Sequence, residues 1–278
     1  MTLFETVVDP VERGESLLLA DVGNSRIKLA AVADIGGRGG LPTVRRRQEI
    51  EIRGLRKDIL RQWLAVVAPG PAIMLIASVH DAAAGVLEMA LAEESATGRR
   101  RLRQRRIGHA DLPIRSALAE PDRVGIDRLA AAAAAAVIKP AAEGVIVVDC
   151  GTAATVDCVA SDGRFLGGAI LPGPNLMMRA LASGTSKLPE LAASGTSEPP
   201  AMPGRNTHEA IAAGVGWGMR GAIAELVARA RLTLGPATPV IVTGGWSQAV
   251  VPAVPGATVI PDLVLAGIAL AADRALAR

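Results

Sequence analysis

Tyrosine is absent from this 278-residue chain, phenylalanine occurs twice and tryptophan three times. Half of the residues are nonetheless hydrophobic, so a core has to be assembled from Leu, Val, Ile and Ala. That composition excludes a disordered chain. Cysteine is nearly as scarce: Cys150 and Cys158 flank a turn and have no His or Cys at metal-ligand spacing. This excludes a disulfide framework or a zinc site and leaves two small packed side chains. Long hydrophobic runs are missing too. Mean hydropathy is +0.34, yet LAAAAAAAVI at 129–138 stops short of the ~18–20 residues that span a bilayer, which predicts a soluble protein. The opening MTLFETVVDPVERGES carries acids where a signal peptide carries bases and has no long apolar stretch behind them. A cytoplasmic location is therefore the expectation. Length alone leaves two domains or one large one open.

Charge is modest, with a net +3 and a pI near 9.3, but it is unevenly spread: RRRLRQRR at 99–106 holds six arginines in eight positions. Such a run can meet nucleic-acid phosphates. It comes without aromatic residues for base stacking, and it reads equally as an edge strand whose charges face water and discourage pairing. The edge reading is preferred.

The most informative stretch is SLLLADVGNSRIKLAAV at 16–32. Glycines of a Walker or Rossmann loop lead into a helix. Here Gly23 is followed by alternation of Ile27, Leu29 and Ala31 with Arg26, Lys28 and Ala30, the period of a strand, so the loop joins a hairpin. VIVVDCGTAATVDCVA at 145–160 repeats the pattern, with Asp149 in the place of Asp21. One Asp-x-Gly after a strand is an ordinary turn; two at matching positions point to a duplicated site in which backbone comes close to a ligand.

The flanks repeat as well. In the first half a third strand falls within 44–54, a helix lies around LRKDILRQWLAVVA with Leu55, Ile59, Trp63 and Val66 or Val67 on one face, and PAIMLIASV forms a buried strand. In the second half the turn SDG precedes the strand RFLGGAIL, then a helix starts at Pro174 and ends at Gly184. A Gly/Pro/Ser-rich stretch at 183–204 precedes one long or two broken helices from 206, the strand PVIVTGG and a closing helix LVLAGIALAADRALA. Two such units imply two mixed sheets with the acidic hairpins lining a cleft. The hydroxyls of Ser25 and Thr152 beside Asp21 and Asp149 could hold a phosphate tail only if cations offset the acids, a condition that ATP with magnesium meets.

A third element is RVGIDRLAAAAAAAVIKP at 123–140, where Asp127 and Arg128 precede an alanine helix. Asp127 can cap that helix, the better reading from spacing alone, or act as general base on a substrate hydroxyl while Arg128 holds an anion.

Taken in order, DVGNSRIK (21–28), GIDR (125–128), DCGTAATVD (149–157), GGAILPGPNLMMRAL (167–181), NTHEAIAAG (206–214) and VTGG (242–245) resemble the motifs of type III pantothenate kinases, over nearly all of the chain after residue 16. The resemblance implies membership of the acetate kinase, sugar kinase, heat-shock chaperone and actin superfamily. The implied fold is α/β: duplicated ribonuclease H-like (actin-like ATPase) domains with mixed five-stranded sheets flanked by helices, a nucleotide cleft between them, and boundaries at 16–122 and 123–278. It implies transfer of the ATP γ-phosphate to the 4′-hydroxyl of pantothenate, the first step toward coenzyme A.

By the same resemblance, Asp21, Val22, Gly23, Asn24, Ser25, Arg26, Ile27 and Lys28, with Thr152, would bind ATP. Asp149 would bind a monovalent cation, K+ or NH4+. Gly125, Ile126, Asp127, Arg128 and Thr207 would contact pantothenate, with Asp127 as catalytic base. ATP would arrive with Mg2+ or another divalent cation, and a homodimer is implied; no membrane partner is expected from the apolar runs, and a nucleic-acid partner is the less favoured reading of the arginine run. One departure stands out: many members carry a tyrosine three residues before the proline that precedes GxDR, where this chain has Leu118, and one lost hydrogen bond costs about 1 kcal/mol. Two alternatives remain: a nucleotide-binding regulatory or transcriptional accessory protein of this fold, and a kinase of the superfamily for another small alcohol. His80 and His109 are read as turn residues, His208 as first-turn helix, and the alanine run as helix former or subunit contact.

Overall fold

The computed structural model describes residues 14–36, 40–139, 143–191 and 201–277. The N-terminal segment through residue 13 lies outside them, as does most of the Gly/Pro/Ser-rich stretch. The chain divides into two compact units. The first comprises the chain to Ile114, Glu120–Ile138 and the residues from Leu263 on; the second comprises Arg115–Ala119 and Lys139–Asp262. The units therefore depart from a single boundary at 122/123, because the alanine helix and the closing helices pack with the first unit.

In the first unit, strands β1 (Ser16–Val22), β2 (Arg26–Asp34) and β3 (Thr43–Glu51) are followed by α1 (Lys57–Val67), β4 (Ala72–Ser78), α2 (Asp81–Ala96) and β5 (Leu102–Arg106). The sheet order is β3-β2-β1-β4-β5, with β1–β2 and β2–β3 antiparallel and β1–β4 and β4–β5 parallel. Strand alternation divides β1 between two layers. Leu18, Ala20 and Val22 join Leu60, Trp63, Leu64 and Val67 of α1 and Leu87 and Leu91 of α2 in one core. The predicted α1 face is thus displaced toward Leu60 and Leu64, and Val66 is exposed. The indole Nε1 of Trp63 donates to the Arg46 carbonyl. Arg46 adopts a positive φ of 54° where the β2–β3 register shifts, so the ring spans a bulge instead of a regular ladder.

The other layer is α3 (Ile126–Ile138), with α7 (Leu263–Leu270) and α8 (Ala272–Leu276) reached later in the chain. Ala130 through Ala135 are buried. A side chain on Gly267 would collide with the Ala130 backbone, so α3 and α7 touch backbone to backbone, an approach that only small residues allow. The alanine run is thereby explained within one unit, without a subunit contact.

In the second unit, β6 (Arg115–Ser116) precedes β7 (Val145–Cys150), β8 (Ala153–Val159), β9 (Arg164–Pro172), α4 (Pro174–Gly184), α5 (Thr207–Leu234), β10 (Val240–Thr243), α6 (Ser247–Val250) and β11 (Thr258–Val259). Its order is β11-β10-β7-β8-β9-β6. Removing β6 leaves the order and directions of the first sheet, the duplication expected of ribonuclease H-like domains. The two-residue β6, parallel to β9, makes this sheet six-stranded instead of five-stranded.

Helix α5 is continuous, and contrary to the reading from apolar runs it is long and apolar enough to cross a membrane by length and composition. Its Met219, Ile223 and Val227 pack with Ile146 and Val148 of β7 and Val240 and Val242 of β10. The exposed side carries Glu225 and Arg229 as an i,i+4 pair. This is the division of a helix laid on a sheet. The closing helix is broken into α7 and α8 at Ala271.

Candidate functional site

The Asp21 hairpin is built by cross-strand pairing. Asp21 faces Lys28 and Val22 faces Ile27, and Gly23 N–H donates to the Arg26 carbonyl at 3.1 Å, closing a three-residue loop. Val22 and Ile27 are 1% exposed, so of their groups only backbone can reach a ligand. Asn24 and Ser25 stand exposed at the tip, and Arg26 is held by Glu49 at 2.8 Å. The Asp21 carboxylate is buried with Lys28 Nζ 3.4 Å away. That pairing places a cation beside an acid which a phosphate would otherwise meet uncompensated.

The GIDR segment lies in the same unit, against the same strand ends. Val79 donates its N–H to the Val22 carbonyl at 3.1 Å, while its Cγ1 would lie 3.6 Å from a Cβ placed on Gly125. Helix α3 begins at Ile126, so Asp127 is inside the first turn instead of capping it. Its Oδ1 accepts the Arg128 N–H at 2.8 Å, which orients the carboxylate. Asp127 and Arg128 are half-buried, whereas Ile126 is turned into the core. Asp127 and Arg128 thus stand together in the first turn of α3, at a helix N-terminus where backbone N–H groups favour negative charge.

In the second unit Asp149 is the penultimate residue of β7 and Thr152 lies in the turn to β8, with Gly151 N–H donating to the Ala153 carbonyl at 2.9 Å. Two glycines from distant motifs enclose this turn. Gly173 donates to the Thr152 carbonyl at 3.0 Å, and a side chain there would strike the Gly151 and Thr152 backbone. Gly244, at φ +90°, would with a side chain strike Asp149 Oδ1 and the Cys150 backbone, while the Cys150 carbonyl accepts Trp246 N–H at 3.0 Å. PGPN and VTGG were legible as motifs, but neither Gly173 nor Gly244 followed from the sequence as part of the site. The missing signal is tertiary, since both sit there through the close backbone approach that an absent Cβ permits. Burial, with the neighbouring Asp149 charge adding to it, pushes the Cys150 thiol up to about 12, so it is an inert packed group.

Thr207 is exposed at the first position of α5. Its neighbour Asn206 caps the helix, accepting Glu209 N–H at 2.9 Å while Asn206 Nδ2 donates back to Glu209 at 2.8 Å. Leu118, standing where a tyrosine is frequent, packs toward Gly167, whose φ is +101°. Among the described residues no three of His, Cys, Asp and Glu gather to hold a metal ion. Of the histidines, His80 caps α2 by accepting Ala83 N–H at 3.2 Å, His208 is exposed in the first turn of α5, and His109 bonds the Val124 carbonyl, a link no sequence pattern signals.

Two mixed sheets of equal strand order, with acidic Gly-bearing hairpins in corresponding places, define the actin-like class of α/β folds. A solved structure of a conserved Baf family protein from Campylobacter jejuni shares the fold at a TM-score of 0.55 and 19% identity, covering 94% of this chain and 100% of that one. The model of the family described as type III pantothenate kinase matches residues 17–229, and the chain belongs to that family. Relatives named type III pantothenate kinase include one from Halorhodospira halophila, 41% identical over 45% of this chain and 47% of that protein. Another, from Pseudomonas fluorescens, is 38% identical over 57% of this chain and 63% of that protein. The chain spans about half the length of the curated relatives it matches.

Proposed function

We propose that the protein transfers the γ-phosphate of ATP to the 4′-hydroxyl of pantothenate, the first step of coenzyme A biosynthesis. The observation that carries this reading is the half-buried Asp127, oriented by the Arg128 N–H at 2.8 Å beside the strand ends that bear the Asp21 hairpin, in a member of the type III pantothenate kinase family. Phosphoryl transfer asks little covalent chemistry of a protein. It needs alignment and donors for the phosphate charge. Asp127 accepts the hydroxyl proton, and Arg128 and Thr207 hold the substrate. Asn24, Ser25 and the hairpin backbone meet the phosphate tail, with Thr152 as a further donor.

ATP is used with a divalent cation, which neutralises phosphate charge when bound. Asp149 is the residue that the family resemblance assigns to a monovalent cation, K+ or NH4+, and its carboxylate is the kind of oxygen donor a hard cation takes. The reading extends to a cytoplasmic homodimer. An apolar groove of about 440 Å³ along α5, lined in part by Met202, Pro203 and Gly214 with a half-exposed Trp217, supports self-association, as exposed apolar patches do in general. Its test is the oligomeric state by light scattering.

The kinase reading is tested by a coupled ATP assay against pantothenate and a panel of small hydroxy acids, with K+ or Na+ as the monovalent ion. Turnover that depends on pantothenate and rises with K+ is expected. Activity on another alcohol alone would replace the substrate, and no activity on any would sink the kinase.

A further inference from the structure

His109 has no part in the site as described, yet it is bonded to the segment that carries it. The residue opens a one-turn helix, His109–Asp111, directly after edge strand β5. That turn is anchored on three sides. Ile107 N–H donates to the Ile76 carbonyl at 2.9 Å, continuing the β4–β5 ladder. The buried Asp111 carboxylate accepts Gly108 N–H at 2.8 Å and faces Arg105 Nη2 at 3.3 Å. The carbonyl of Leu112, itself fully buried, accepts Arg274 Nη1 of α8 at 2.8 Å.

From this base His109 Nε2 reaches the Val124 carbonyl at 2.7 Å. A carbonyl can only accept, so Nε2 carries the proton. Val124 is buried, its own N–H is held by the Pro121 carbonyl at 3.2 Å, and the next residue, Gly125, accepts Arg128 and Leu129 N–H at 3.1 and 3.3 Å. The Val124–Gly125 peptide thus leads into Gly125, the residue before α3, and its oxygen is held by His109.

We propose that His109 is a positioning residue: by holding the Val124 carbonyl it sets the plane of the peptide that enters Gly125, whose own carbonyl accepts the first N–H bonds of α3, and through it the placement of Asp127 and Arg128. A misplacement of about 1 Å at a reacting group can cost on the order of 100-fold in rate, so a rigid tether here matters to function more than to stability. The inference rests on the reading of Asp127 and Arg128 as the pantothenate-handling pair.

Its test compares His109→Phe, which keeps a ring but donates nothing, with His109→Gln, which restores a donor, in the full chain. For His109→Phe, kcat/KM for pantothenate is expected to fall roughly tenfold, the order of one lost hydrogen bond, with KM for ATP unchanged, and His109→Gln to recover most of it. Hydrogen exchange of the amides at 125–129 is expected to quicken in His109→Phe and return toward native in His109→Gln. Native pantothenate efficiency and native exchange at 125–129 in His109→Phe would overturn the proposal, as would equal damage to the ATP and pantothenate constants. If the unmutated protein phosphorylates no pantothenate, the kinase reading fails by itself, and exchange at 125–129 still decides whether His109 tethers the helix start.

Discussion

Asp127 is where the chemistry is most exposed to a single substitution. Its Oδ1 accepts the Arg128 N–H, and an asparagine placed there can make the same bond through its carbonyl oxygen while losing the ability to take a proton. Asp127→Asn is therefore expected to keep fold and ATP affinity and to lower kcat by roughly 100- to 10,000-fold. Calorimetric ATP binding beside the coupled assay checks this, and near-native turnover would remove the base assignment. Cys150 makes the opposite kind of prediction. Its thiol titrates at about 12 in the folded protein against an ordinary 9.0, so folding favours the protonated form. That contribution is whole below about pH 9 and is lost as pH rises toward 12. Denaturant midpoints should fall less between pH 8.5 and about pH 10.5 in Cys150→Ala than in the native chain, and folded Cys150 should resist alkylation at pH 8. Rapid labelling would contradict its burial.

At the scale of elements, the α3–α7 contact decides stability in the first unit. Gly267 lies so close to the Ala130 backbone that any Cβ overlaps it, and both helices are buried on the sheet, leaving nowhere to shift. Gly267→Val is expected to cost about 2 kcal/mol or more, a drop in Tm of roughly 5 °C, whereas Ala135→Ser, in the buried run but away from that contact, should cost less. Thermal unfolding followed by circular dichroism measures both. This contact also shows what was legible. The strands, hairpins and their order followed from period-two alternation and the two Asp-x-Gly turns, because those patterns are local. Where α3 and α7 belong did not follow, because assignment to a unit depends on which surfaces meet, and an all-alanine helix has no stripe to indicate a face. The enclosure of the Asp149–Thr152 turn by Gly173 and Gly244 was hidden for the same reason. The reading of Asp127 as a cap does not hold, because α3 begins one residue earlier, at Ile126; its role as a base stays the proposal that its motif suggested.

At the scale of the whole molecule, the arginine run was the feature with two readings. Its second half forms edge strand β5, and the three arginines there are ion-paired: Arg103 to Glu15 at 2.6 Å, Arg105 to Asp111 at 3.3 Å, Arg106 to Asp81 and Glu88 at 2.8 and 3.0 Å. Surface pairs of this kind contribute little stability, but they spend positive charge locally, and with a net charge of +3 no large field remains to draw a polyanion. Of the three arginines that precede the strand, Arg99 and Arg101 are exposed and Arg100 is half-buried. Each phosphate neutralised on duplex DNA contributes about −0.9 to the slope of log affinity against log salt. Two exposed guanidinium groups therefore set a slope no steeper than about −2, and binding weaker than about 10⁻⁴ M at physiological salt. Titration of a fluorescent duplex at several salt concentrations, with the native chain and with Arg99 and Arg101 changed to Ser, measures both quantities. A slope near −5 that collapses in the variant would mean the ion pairs open to receive nucleic acid, and would favour a regulatory role over the proposed small-molecule kinase.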